Sequence, residues 1–414
     1  MYKTEPAAAG TLLYISRVCD PESGILVPMQ VIYSIGGCTF AGGGIGKTSY
    51  HAVAGIFRHQ ILKQLIVADY APSEIDKTLI TKIPSRIKGL ARLVKPAWAN
   101  VVNDTLHAKL SSFVMQEGDI FHGWAGMSLD CIEKFEIRPA CAGRNSKFEI
   151  AILNRASSHL LEARKIMAEE YRRWKLGPPR YIEWAVRREL QEYELADYIF
   201  VPSEFARDSF LKREFAAEKI RLIPFGIEKI RNSKFEIRNL AHLNALFVGE
   251  VGFRKGILYA LKAWQKADID KGIFYVVGPI LDEIRPFLRE FEDDPTIKFT
   301  GFADAREYFP KADVFIFPSL EEGSALVTYE ALAHGLPLIT TWNSGAVIGH
   351  QKEGFVVPIQ NVDAIKTAVE QLGSEPELRA SMSQQAFETI QRYTWFEYGE
   401  NIVREYEKIM SHNS

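Results

Sequence analysis

The stretch Phe317-Pro318-Ser319-Leu320-Glu321-Glu322-Gly323-Ser324-Ala325-Leu326, running on to Glu330 and Ala331, decides the fold. Val314 to Phe317 is apolar and reads as a buried strand. The residues after it read as a turn that opens a helix, with Glu330 eight positions beyond Glu322. Two carboxylates therefore flank a small-residue turn at the carboxyl end of a strand, where open α/β sheets bind ligands. Gly323, Ser324 and Ala325 let backbone amides approach a ligand, and a helix start favours anions. The combination suits a molecule that carries both a phosphate and a polyol.

Strand-like runs alternate with helical ones through most of the chain, which predicts parallel sheets with crossover helices. The first-half strands are expected at 30–35, 64–68, 119–122, 150–153, 198–201 and 220–224. Those of the second half are expected at 245–249, 274–278, 298–301, 314–318, 337–341 and 354–358. This gives two successive doubly wound halves. The expected division is 1–228 as the first domain, 229–243 as a linker with an inserted repeat, 244–392 as the second domain, and 393–414 as a terminal helix. The repeat is literal: Arg144-Asn145-Ser146-Lys147-Phe148-Glu149-Ile150 recurs as residues 231–237, with a partial copy at 134–138. It is read as neutral insertions in tolerant loops.

The composition is that of an ordinary globular protein, with 47% hydrophobic and 25% charged residues. A net charge of −2 gives no argument for nucleic acid as a partner. The four cysteines lack CxxC or metal-ligand spacing and read as reduced thiols. The glycine-rich run 24–46 is too sparsely apolar for a membrane span, and the N-terminus does not read as a signal peptide. Residues 84–98 carry an apolar stripe ringed by Arg86, Lys88, Arg92 and Lys95. Two readings stand for this segment: a helix packed on its sheet, or one lying on an anionic membrane surface.

Two further loops carry chemistry. Ala41-Gly42-Gly43-Gly44-Ile45-Gly46-Lys47-Thr48 follows a strand and opens a helix, a loose Walker A pattern with Asp69 as a candidate second element. That pattern would make the chain a P-loop NTPase. The competing reading lays the bare backbone at Gly44 and Gly46 beneath a bound sugar or phosphate. Gly249-Glu250-Val251-Gly252-Phe253-Arg254-Lys255-Gly256 ends the first strand of the second half, and its adjacent cations can neutralise a diphosphate.

Taken in order, Phe247-Val248-Gly249 with Arg254-Lys255-Gly256, Phe299-Thr300-Gly301-Phe302, Ala312 to Ser319, the Glu-x7-Glu pair and Gly354 to Pro358 resemble the retaining GT-B glycosyltransferases of family 4, the group 1 glycosyl transferases. The resemblance covers roughly residues 30–410 and is tighter in the second half. It implies an α/β GT-B fold of two Rossmann-like domains facing a central cleft, with the C-terminal helix crossing back to the N-terminal domain. It implies a metal-independent hexosyltransferase that needs no cofactor and uses a nucleoside-diphosphate sugar as donor. The acceptor would be a glycan, a lipid-linked sugar or a small molecule, and the setting cytoplasmic, with the inner face of the cell membrane as a peripheral site. Carried over, Lys255 and Arg254 bind the diphosphate, Glu330 binds the ribose, and Glu322 holds the transferred sugar. Gly323, Ser324 and Ala325 give backbone contacts. His122, at a strand end, contacts the donor sugar. His159 is either an N-terminal-turn residue or part of the acceptor site. One departure stands out: many members carry Arg where this chain has Glu250. A catalytically silent sugar-nucleotide-binding protein is the other alternative.

Overall fold

The computed structural model describes residues 17–19, 26–84, 96–136, 150–228, 242–267 and 269–413. The literal repeats at 144–149 and 231–237, and residues 85–95 of the basic amphipathic segment, lie outside the described residues. Strands β1 (Arg17–Cys19) and β2 (Leu26–Pro28) form an antiparallel pair. A seven-stranded sheet has the order β5 (Ile80–Lys82), β4 (Leu62–Tyr70), β3 (Val31–Phe40), β6 (Ile120–Trp124), β7 (Ile150–Asn154), β8 (Tyr198–Val201), β9 (Ile220–Leu222). A six-stranded sheet has the order β12 (Ile297–Gly301), β11 (Phe274–Val277), β10 (Ala245–Val248), β13 (Val314–Phe317), β14 (Leu338–Thr341), β15 (Gly354–Val357). All five pairings of the six-stranded sheet are parallel. The fold is therefore α/β with two Rossmann-like sheets.

By contacts the chain falls into two compact units, one of Met1–Ile152 with Gly399–Ser414, the other of Leu153–Tyr398. In the second unit, β13 is buried at every position. Its Phe315 and Phe317 stack at 5.8 Å, and Phe317 stacks on Phe247 of β10 at 5.6 Å. Consecutive buried apolar residues are what a strand covered on both faces requires. The strand order reverses between β10 and β13: β11 and β12 extend one way, β14 and β15 the other. That reversal is the topological switch point, and the carboxyl ends of β10 and β13 border its crevice.

In the first unit the corresponding reversal falls between β3 and β6. Strand β3 runs on past the expected end at Ile35 to Phe40, with a register shift against β4 between Ile35 and Thr39. Gly36 and Gly37 sit in that bulge, so their glycine character belongs to the strand. The terminal helix Trp395–Asn413 puts its Gly399–Ser414 part in this unit. There Glu400 pairs with Arg58 at 3.0 Å and with His59 at 2.9 Å, and Tyr406 is fully buried. Among the described residues, no helix is long and apolar enough to cross a membrane.

Candidate active site

The site in the second unit is assembled by two loops that leave adjacent strands. After β10, residues 249–256 curl back as a short 3-10 turn, Phe253–Lys255, closed by Gly256 at φ 67°. A Cβ at Gly256 would lie 2.1 Å from the Pro318 carbonyl oxygen, so only glycine allows this approach. The Arg254 carbonyl then accepts from Leu320 N at 2.8 Å and from Ser319 Oγ at 3.1 Å. The two loops are thereby stitched together, although 67 residues separate Lys255 from Glu322.

The stitching brings three of the sequence-predicted residues into contact. Arg254 Nη1 donates to Glu322 Oε1 at 2.6 Å, and Lys255 Nζ donates to the same oxygen. Lys255 also lies over the Phe317 ring, 5.3 Å from its centroid. Burial pulls the Lys255 ammonium below the usual lysine range, and the Glu322 carboxylate pulls it back up. Glu250 is exposed and acts on Lys255 in the same sense as Glu322, more weakly. Arg254 and Lys255 are thus matched by two carboxylates, Glu322 and, 3.8 Å from Arg254, Glu321, close to where the helix Leu326–Ala333 begins. That helix has no side-chain cap, and the positive end of its dipole favours an anion there.

The turn between them is fixed from outside. A Cβ at Gly323 would lie 1.7 Å from the Ala156 carbonyl oxygen. The Gly323 carbonyl accepts from Ser203 Oγ. Ser324 Oγ donates to the Gly345 carbonyl at 2.9 Å and lies 2.9 Å from the Tyr329 hydroxyl. Ala325 N donates to the Ser344 carbonyl at 3.0 Å. Ser324 and Ala325 are buried, whereas Glu330 is exposed on the helix beyond them.

Sequence reasoning gave no role to Glu321, Asn343 or the serines at 157, 158 and 203. Glu321 is 4% exposed. Its Oε1 accepts from Ser158 N at 3.2 Å, from Ser158 Oγ at 2.8 Å and from Ser157 Oγ. Its Oε2 lies 3.8 Å from Arg254 Nη1. The carboxylate thus anchors the 157–158 loop and lies within ion-pair distance of the phosphate-binding candidate Arg254. Asn343 accepts from Glu322 N at 3.0 Å through its carbonyl and donates from Nδ2 to the Leu320 carbonyl at 2.7 Å. The doubled Glu321-Glu322 was the one visible signal. The partners lie 163 residues away, and no local pattern reports them.

His159 caps the helix Leu160–Arg173, its Nδ1 accepting from Leu161 N at 3.2 Å. Its ring sits among Tyr193, Phe210 and Phe215 at 5.0, 4.9 and 5.8 Å. Burial first, then the Arg213 and Arg155 cations, pull its imidazole down to about 3. In the other unit, burial pulls His107, beside Ser34 Oγ at 3.1 Å, down to about 4. Both fold as neutral rings, so the unfolded chain binds more protons below the ordinary value of 6.5. Their contribution to stability is complete above pH 6.5 and is lost as the pH falls toward 4 and below. At pH 5 each site should cost about 2 kcal/mol. The expected result is a urea midpoint that falls steeply between pH 6.5 and 5, a slope that His159→Gln makes shallower. An unchanged slope in that variant would remove His159 from the account.

The remaining predicted residues lie in the first unit. His122 does not end its strand, because β6 continues to Trp124. Its ring is fully buried, 4.9 Å from the Tyr33 ring, with Nδ1 hydrogen-bonded to the Tyr406 hydroxyl. Gly44, at φ 58°, and Gly43 have open space where a Cβ would point, whereas a Cβ at Gly46 would meet the Thr39 carbonyl at 2.1 Å. Thr48 is buried and its hydroxyl donates to the Gly44 carbonyl at 3.3 Å. Asp69 pairs with Lys82 at 2.7 Å.

Residues 242–375, which hold the switch-point site, match the family described as glycosyl transferases group 1. An uncharacterized glycosyltransferase of Haemophilus influenzae is 27% identical over 186 residues, 43% of this chain. The chain spans about half the length of that curated relative, 51%. Among solved structures, Anabaena HepE in complex with UDP and glucose superposes with a TM-score of 0.59 at 14% identity, covering 92% of this chain and all of that one. Sucrose-phosphate synthase from Thermosynechococcus elongatus superposes with a TM-score of 0.63 at 15% identity, covering 93% of this chain and all of that one. At such identities these two similarities speak for the fold.

Proposed function

We propose that this chain, whose residues 242–375 match the group 1 glycosyl transferases, moves a hexosyl group from a nucleoside-diphosphate sugar to an acceptor hydroxyl. One observation carries the reading: Arg254, Lys255 and Glu322 converge at the switch point beside an uncapped helix start. Two cations suit a diphosphate, and one carboxylate suits the hydroxyls of the sugar attached to it. The complex of HepE with UDP and glucose supports a donor of this class.

In the reaction the bond from the anomeric carbon to the diphosphate oxygen breaks and a bond to the acceptor oxygen forms. The acceptor proton passes to the departing phosphate oxygen, so no protein base is required. Negative charge gathers on the diphosphate as it leaves. Arg254 and Lys255 meet that charge already in position, which is where preorganised sites gain most. They do the charge work for which other transferases use a divalent cation. Attack from the leaving-group face retains the anomeric configuration. Glu330, exposed on its helix, takes the ribose hydroxyls, and Glu322 turns from its cations toward the sugar. The acceptor is a glycan or a lipid-linked sugar, and the setting is the cytoplasm.

Thermal unfolding across a series of nucleoside-diphosphate sugars tests the donor. A ligand at about 100 times its Kd should stabilise by about 2.7 kcal/mol and raise the midpoint. Glu330→Ala should weaken that shift for the whole nucleotide series. A chain that no such sugar stabilises, or that ATP stabilises equally, would not be this transferase.

A further inference from the structure

A cavity of about 410 Å³ opens beside the Gly323 turn, within the same compact unit. Its lining includes Ser203 and Gly345, the two residues that meet the Gly323 carbonyl. Trp342 stands at its edge with 51% of its surface exposed. The open face of its indole suits the C–H side of a sugar ring. Trp342 directly follows β14 and precedes Asn343, the residue that holds Glu322. The ring is thus fixed to the backbone of the donor-site loop.

Two cations share the cavity. Lys352 pairs with Glu353 at 3.2 Å and keeps 57% of its side chain exposed. The Glu353 carboxylate is itself engaged, by Gly349 N at 2.8 Å and Thr389 Oγ1 at 2.6 Å. Arg392 is exposed, and its guanidinium has no ion-pair partner among the described residues. Glu204, also in the lining, is turned to Arg207 at 3.3 Å.

We infer that this cavity is a saccharide subsite: Trp342 is the platform for a sugar ring, and Arg392 with Lys352 receives a negative charge carried by that sugar. The sugar is the acceptor, a uronic acid or a sugar phosphate. Its role as acceptor rests on the transfer reading above; its binding does not.

Ligand-observed NMR titration of the whole chain tests it, with methyl glucuronide, glucose 6-phosphate and neutral methyl glucoside as probes. At least one anionic probe should bind more tightly than the glucoside, and the better of the two identifies the source of the charge. Trp342→Ala should weaken that probe about tenfold, Trp342→Phe less, and Arg392→Ala should remove the preference for the anion. Donor-induced thermal shifts should stay as in the parent protein, which also shows that the variants fold. The inference is overturned if none of the probes binds, if the glucoside binds as well as the anions, or if Trp342→Ala leaves affinity unchanged. A chain that binds these sugars but no nucleoside-diphosphate sugar would overturn the transfer reading alone.

Discussion

Replacing Lys255 by Met is expected to lower kcat for sugar transfer by about 100- to 1,000-fold, the usual loss when one preorganised charge-stabilising group is removed. Methionine keeps an unbranched stem over Phe317, so lost packing contributes little. The effect should fall mainly on kcat, because the charge that Lys255 meets grows as the diphosphate departs. Donor Kd should rise less, since Arg254 still contacts Glu322 at 2.6 Å and remains for the ground-state phosphates. Lys255→Arg is a useful companion. Its planar fork cannot reproduce a point charge enclosed on the side of a phenyl ring, so only part of the activity should return. Single-turnover rates separate the two quantities. A Lys255→Met enzyme with parental kcat would dismiss the diphosphate role of this lysine.

The largest effect on folding is expected at Gly323. A methyl group there would stand 1.7 Å from the Ala156 carbonyl oxygen, an impossible distance against backbone. No flexible side chain can yield; either the 156–158 loop or the turn must move. The cost should be about 3 kcal/mol, the upper part of the range for overpacking. The movement also pulls at Ser203, which donates to the Gly323 carbonyl, and at Glu321, which holds Ser157 and Ser158. Gly323→Ala should therefore lose donor binding together with stability, as read by urea unfolding and donor titration on the same sample. Ser203→Ala, which removes one strut and adds no atom, should give a smaller loss of both. A stable Gly323→Ala protein with normal donor affinity would show that this close approach is not needed.

The strands were legible because each central one is a short buried apolar run. Val314–Phe317 and Tyr198–Val201 stand where the alternation puts them, to within a residue. Ile80–Lys82 was passed over: three residues are too short to show a period. At β3 the two glycines looked like a strand end and are a bulge inside a longer strand. In the site, Arg254, Lys255 and Glu322 could be paired in advance because two loops at neighbouring strand ends must meet at a switch point. Glu321 could not, because what distinguishes it from Glu322 is the serine loop that receives it. The burial of His122 was likewise hidden, since Tyr406 covers it from 284 residues away.

The bond between Ser158 and Glu321 spans 163 residues and has a consequence in time. Ribosomes add about 5–20 residues per second, so the serine loop waits about 8 to 33 s for the carboxylate that fixes it. Throughout that interval the nascent loop has its polar groups in water and no turn to brace. The donor-side geometry of this chain is thus among the last things to form during synthesis, and a slow step in producing residues 159–321 would prolong exposure to aggregation and proteolysis.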